Sequence, residues 1–275
     1  MNAPLSRQAS KRRGERILDR VVGLLGRLVL FGTLIFLLGP AIVVVILSFS
    51  NADYISFPPP SWGFRQYIAL AGAEMWLDSI WLSVRLAVPT AILSVVIAVP
   101  TAFTIYRTPL PGGQILSLVG LLSLIVPISA YAVAMYGVYA IFGLIGTTLG
   151  IILAHTVLAF PLVLIVTTAA LGRIPREIEL VAMTLGASRL QAWIGITGRL
   201  LIPALITGFV FAFLASFDEA VFINFLGGPG LVTLPKAIFD SVRFGVDPLI
   251  TAIATLLMLV SATVVGVATS LEQRS

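Results

Sequence analysis

The chain has no cysteine, one histidine (His155), and charge on only 11% of its 275 residues. Without cysteine there is no disulfide framework and no thiol nucleophile. One histidine rules out a multi-histidine metal centre. No phosphate-loop pattern occurs, and no nucleophile stands near a base, so nothing points to an enzyme. The ten-residue alternating segments of a membrane barrel are missing too. Acidic residues number 12 against 17 basic ones, a net charge of +5.

What the chain does have is apolar surface, with 59% of its residues hydrophobic. A water-facing fold could not hide that much. A bilayer acts as solvent for it, at about 20 apolar residues per span. A sequence pI near 10 would suggest nucleic acid in a soluble chain. In a membrane chain it reflects lysine and arginine gathered on the cytoplasmic side.

Six apolar runs predict six transmembrane helices, at about 27–49, 80–105, 115–142, 147–171, 200–226 and 249–270. The expected class is therefore an all-α polytopic membrane protein. The first run is too long for the h-region of a signal peptide, so it reads as an uncleaved helix. Thirteen of the 17 basic residues fall on one side of this arrangement: seven from Arg7 to Arg27, then Arg107, Arg173, Arg176, Arg189, Arg199 and Arg274. That asymmetry predicts both termini on the cytoplasmic side, and the expected location is a plasma (inner) membrane. The expected organisation is a basic segment at 1–26, one membrane domain at 27–271 and a tail at 272–275. Two long loops, 50–79 and 227–248, then lie outside.

The inside loop 172–199 is the most elaborate connection. Pro175 suits a helix start. Glu177 and Glu179 complement the dipole of the first turns. Ile178, Leu180, Val181, Met183 and Leu185 give one mostly apolar side. Gly186 can end the helix in the left-handed region. Ser188 with Gln191 matches a capping box for a second helix. Helix, tight turn, helix predicts a compact knob, either a docking element or an ordinary interfacial helix.

This loop resembles the EAA motif of permease subunits in binding-protein-dependent ABC importers. Gly186 and Ala187 match its central Gly-Ala, Ala182 its second alanine and Pro203 its later proline. The motif's glutamate falls on Leu180 and its first alanine on Val181, so Glu177 or Glu179 is left to supply an acidic contact. LAHTVLAFP at 153–161 and the SFDE, GPG, TLP and RFGV-P elements between 214 and 248 resemble the spermidine/putrescine (polyamine) subgroup. The resemblance implies a type I (MetI-like) permease fold and a complex with ABC ATPase subunits, a second permease subunit and an external solute-binding protein. ATP and magnesium would bind the partner ATPase, with no cofactor in this chain. The coupling residues it implies are Glu177, Glu179, Leu180, Ala182, Leu185, Gly186, Ala187 and Ser188.

Candidates for a solute pathway are fewer. Asp218 and Glu219 fall late in the fifth run, where an ionised carboxylate needs water, a partner or a pore. The alternative is pairing with Lys236 or Arg243 at the outer interface. Tyr136, with Tyr131 and Tyr139, offers either ring faces for a cation or an interfacial belt. His155 is either a pore contact or a hydrogen bond between helices. Arg85 is expected to snorkel toward Asp78 or Glu74. Pro89, Pro100, Pro127 and Pro161 fall inside spans and would bend them. The function implied is half of the pathway of an ATP-driven importer of a small solute, foremost a polyamine. The alternatives are another solute, such as an opine-like compound or amine, a stand-alone secondary transporter, and a membrane scaffold.

Overall fold

The computed structural model describes residues 4–108, 115, 118 and 120–272, with side-chain environments for those from 22 to 263. Residues 273–275 of the expected tail and 1–3 of the basic segment lie outside the described residues. Helices make up nearly all of the rest, and the only bridge between extended segments among the described residues joins Ser50 to Trp62.

Eleven helices are used below as landmarks. They are α1 (Pro4–Ser48), α2 (Arg65–Ala71), α3 (Glu74–Arg107), α4 (Ile128–Phe142), α5 (Thr148–Arg173), α6 (Glu177–Thr184), α7 (Arg189–Ala192), α8 (Arg199–Phe217), α9 (Val221–Leu226), α10 (Leu234–Phe244) and α11 (Leu249–Glu272). Four described segments are long and apolar enough to cross a membrane: Val22–Ser48, Glu74–Arg107, Thr148–Arg173 and Arg189–Phe217. Ile128–Phe142 and Leu249–Thr263 are shorter apolar helices.

Two predicted spans are interrupted. The run at 115–142, part of which lies outside the described residues, passes through a tight turn at Leu122–Leu124 before α4 begins at Ile128. Pro127 caps that helix instead of bending it. The run at 200–226 breaks after Phe217 and restarts as α9 at Val221. Pro89, Pro100 and Pro161 do lie inside helices.

The contacts divide the described chain into two compact units. In residues 73–245, helices α3, α5 and α8 pack on one another. Their shared core is rich in small side chains (Ala91, Ala98, Ala102, Ala159, Ala212) beside Leu164, Leu171 and Leu201. Lipid gives helices no hydrophobic reason to associate, so close backbone approach takes over that role. Gly208 shows it: a Cβ there would stand 3.1 Å from Val163 Cγ1. Gly208→Leu is expected to overpack this crossing at a cost of about 1–3 kcal/mol, seen as a lower melting temperature in detergent.

The second core of that unit joins α3, α4, α5 and α9 through Leu86, Ala132, Ile151, Phe222 and Ile223. The backbone N–H of Leu234 donates to the buried Ser83 Oγ at 2.8 Å, tying the start of α10 to α3.

In the other unit, α1 and α2 each pack against α11. The Ser48 and Tyr67 hydroxyls bond at 2.7 Å, and the Gln66 amide donates to the carbonyls of Ser50 and Ala52. Most apolar side chains of α1 from Val22 to Leu38 are exposed, as lipid-facing groups are.

Candidate functional site

The loop that follows α5 is ordered by local chemistry. Helix α6 ends in a glycine cap in which Gly186 has φ +94°. The N–H of Gly186 donates to Met183 O, and that of Ala187 to Ala182 O. This pair of bonds is the Schellman arrangement, which satisfies carbonyls the helix end leaves free. Both bonds of the capping box are present, from Gln191 N–H to Ser188 Oγ and from Ser188 N–H to Gln191 Oε1.

Two details differ from the sequence expectation. Helix α6 starts at Glu177, capped by Arg176, so Pro175 lies before the helix and not in its first turn. The second helix of the knob is not a separate piece. It runs through a π-helical turn, Trp193–Gly198, straight into α8.

The two acidic residues of α6 separate sharply. Glu177 is exposed, whereas Glu179 is buried. Arg107 Nε, at the end of α3, stands 2.9 Å from Glu179 Oε1, an ion pair by distance without an aligned hydrogen bond. Thr197 Oγ1 donates to the same oxygen at 2.7 Å, and Trp193 Nε1 donates to Oε2 at 3.0 Å. Other arginines tie neighbouring carbonyls together: Arg107 donates to Ile174 O, Arg189 to Arg107 O and Arg176 to Tyr106 O. The Arg189 guanidinium also lies over the Trp193 ring, 4.8 Å from its centroid.

With its acid turned inward, the knob turns its apolar side chains outward. Leu180, Val181, Leu185 and Leu190 are exposed, Leu185 at 84%, while Ala182 and Ala187 are partly buried. Glu179 thus faces into the chain, and Glu177 is the exposed carboxylate of α6. Sequence reading missed Arg107, Trp193 and Thr197 as partners of Glu179. No local pattern joins them, because Arg107 belongs to a different helix.

The pathway candidates also separate. His155 is fully buried, and its Nδ1 bonds Ser216 Oγ across α5 and α8 at 2.8 Å, an interhelical hydrogen bond. Glu219 is buried and caps α9, accepting from the N–H groups of Val221 (2.8 Å) and Phe222 (2.7 Å). Its Oε2 lies 3.6 Å from His155 Nε2, beyond hydrogen-bond range.

The fifth run breaks where this carboxylate satisfies the backbone donors of the new helix. Asp218 is left exposed, and Tyr136 is exposed as well. Lys236 does not pair with either acid of the break; it bonds Asp240 and Asn224, each at 3.1 Å. Arg243 lies over the Phe244 ring. Arg85 makes no ion pair with Asp78 or Glu74 within 4 Å. It rests over Trp81, 5.8 Å from the ring centroid, in a cavity of about 350 Å³ that Asp78 also lines.

Long apolar helices and a capped loop with an outward apolar face define a multi-pass membrane protein. The chain belongs to the family described as the inner membrane component of binding-protein-dependent transport systems, which matches residues 17–274. It is thus a multi-pass permease subunit of an ABC importer, a transport component and not an enzyme.

Among individual relatives, it is 32% identical over 238 residues to the putrescine transport system permease protein PotI of Escherichia coli, covering 81% of this chain and 82% of that one. It is 30% identical over 230 residues to the spermidine/putrescine transport system permease protein PotC of Haemophilus influenzae, covering 82% and 88%. A bacterial ABC transporter structure, described as involved in import of the acidic polysaccharide alginate, aligns with a TM-score of 0.67. It is 16% identical, covers 93% of this chain and 96% of that one, and shows the shared type I (MetI-like) permease fold.

Proposed function

We propose that this subunit forms half of the translocation pathway of an importer for a small solute, foremost a polyamine, and that residues 175–190 are its contact with the ATPase. The observation that carries the coupling assignment is the outward apolar face of α6 on a loop whose acidic side chain is tied inward. Exposed apolar surface gathered on one element marks a docking site more often than chance exposure does. The polyamine assignment is supported by the relatives named for putrescine and spermidine, together with the SFDE, GPG and TLP elements. Other solutes remain the alternative: a relative from Synechocystis, 32% identical over 147 residues, is named for uptake of osmoprotective compounds.

In this reading both termini and the 172–199 loop are cytoplasmic, in keeping with the distribution of arginine and lysine. A second permease subunit, different from this one, completes the pathway. A loaded binding protein docks outside, on residues 50–79 and 227–248. ATP closes the ATPase pair, and the loop carries that movement to the spans. Asp218, exposed at the break, and Tyr136, exposed on α4, are the groups a polycation would meet on its way through.

Uptake of labelled putrescine and spermidine, in cells with and without this chain, tests the substrate. Loss of uptake that the wild-type chain restores is the expected result. Asp218→Asn should lower the rate about tenfold with the complex still assembled. Unchanged uptake without the chain, in cells lacking other polyamine systems, would move the substrate to another small solute.

A further inference from the structure

The buried carboxylate of α6 has more partners than a surface coupling loop needs. Glu179 holds three groups from two places: Arg107 at the end of α3, and Trp193 and Thr197 in the π-helical turn that leads into α8. Arg107 and Glu179 are each about 6% exposed. Neither surface solubility nor a partner's contact accounts for a carboxylate placed there. An ion pair on the exterior would be screened and weak. A desolvated pair persists only if its geometry is closely held, so the parts it joins move together or not at all.

Everything around it adds to that constraint. Arg189 bonds the carbonyl of Arg107 while lying over Trp193, and Trp193 packs against Phe103 of α3, ring centroids 5.3 Å apart. Arg107 reaches on to Ile174, at the end of α5. The π-helical turn is the one described place where the path from loop to span departs from α geometry, and such turns recur at functional positions in helices.

We propose that Glu179 is a positioning residue of the coupling step. It joins α6 to the ends of α3 and α8, so that a displacement of the knob moves both spans as one, and it makes no contact with the ATPase. This rests on the proposed role of the loop, and it divides the labour within α6. Leu180, Val181 and Leu185 receive the push, and the inward carboxylate passes it on.

Glu179→Gln keeps the volume and one acceptor oxygen but removes the charge that pairs with Arg107. In the purified complex reconstituted in liposomes, with ATP inside and binding protein outside, three quantities are to be read. They are co-purification of the ATPase, ATP hydrolysis and solute uptake. For Glu179→Gln we expect normal co-purification, hydrolysis within twofold of wild type, and uptake reduced at least tenfold. The exchange Arg107→Glu with Glu179→Arg should recover part of that uptake.

Loss of ATPase co-purification from Glu179→Gln would make the residue a docking contact and overturn the proposal. Uptake and hydrolysis both near wild type would overturn it as well. If Glu179→Gln does not accumulate in the membrane, Thr197→Val decides in its place. It removes one hydrogen bond and leaves the ion pair, and it should at least double the ATP hydrolysed per solute moved; an unchanged ratio sinks the idea. A wild-type chain that binds no ATPase would reject the role of the loop itself, and this inference with it. That outcome is distinct from a coupled wild type with a fully coupled Glu179→Gln variant.

Discussion

Gly186→Pro should abolish uptake, to below about one tenth of the wild-type rate, while the protein still inserts and folds. Three conflicts meet at this position. Gly186 has φ +94°, whereas proline holds φ near −65°. Its N–H donates to Met183 O, and proline has none to give. Leu185 before it lies at φ −86°, ψ 9°, a conformation that a following proline disfavours.

Each conflict costs on the order of 1–3 kcal/mol. The glycine is exposed, and nothing stands within 4 Å of a Cβ built on it, so the loss falls on the turn and not on the core. The expected picture is a melted knob on an intact bundle. Uptake, ATP hydrolysis and the melting temperature of the purified chain check it together. Gly186→Ala is the milder control, since alanine in the left-handed region costs about 1–2 kcal/mol and keeps the N–H. Transport at the wild-type rate in Gly186→Pro would defeat the coupling assignment.

Leu185→Glu should release the ATPase from the complex and leave the chain otherwise unchanged. Leu185 is the most exposed large apolar side chain of the loop, at 84%, so its replacement removes no internal packing. In solution a glutamate there is harmless. Buried against an apolar surface of a partner, an unpaired carboxylate costs several kcal/mol. About 3 kcal/mol corresponds to roughly a hundredfold weaker association. Co-purification of the ATPase in detergent, with the melting temperature of the subunit measured alongside, separates docking from folding. Retained ATPase with unchanged affinity would mean that the apolar face rests in the headgroup region of the bilayer and not on the partner.

Leu185→Glu and Glu179→Gln place acidic charge in opposite senses on the two sides of one short helix. The first adds it to the outer side and should break assembly. The second removes it from the inner side and should leave assembly intact with transport uncoupled. Observing that pattern would assign the two sides of α6 separate roles.

Much of this was legible in the chain itself. Composition alone requires a bilayer, because 59% hydrophobic residues cannot be covered by 11% charged ones. The capping box at Ser188 and the turn at Gly186 are local chemistry, readable wherever the spacing occurs, and both are present. The continuity of the loop's second helix with α8 was not legible, since the π-helical turn at Trp193–Gly198 leaves no signature in residue type. Nor was the break after Phe217. It depends on Glu219 finding the N–H groups of Val221 and Phe222 within a buried site, and an apolar run does not reveal where its backbone donors will be met.

The sequence by itself determined that this chain lives in a membrane, where its longest apolar runs lie, and that one charged loop between them is built as a capped turn. Those properties follow from transfer free energy and from hydrogen bonds between near neighbours. Only the tertiary structure decided which way the loop faces. Glu179 and Leu180 are adjacent in sequence, and neighbours on a helix point about 100° apart. Which of them turns inward depended on Arg107, a residue of another helix, because a carboxylate enters a buried site only where a charge and hydrogen-bond donors already wait for it.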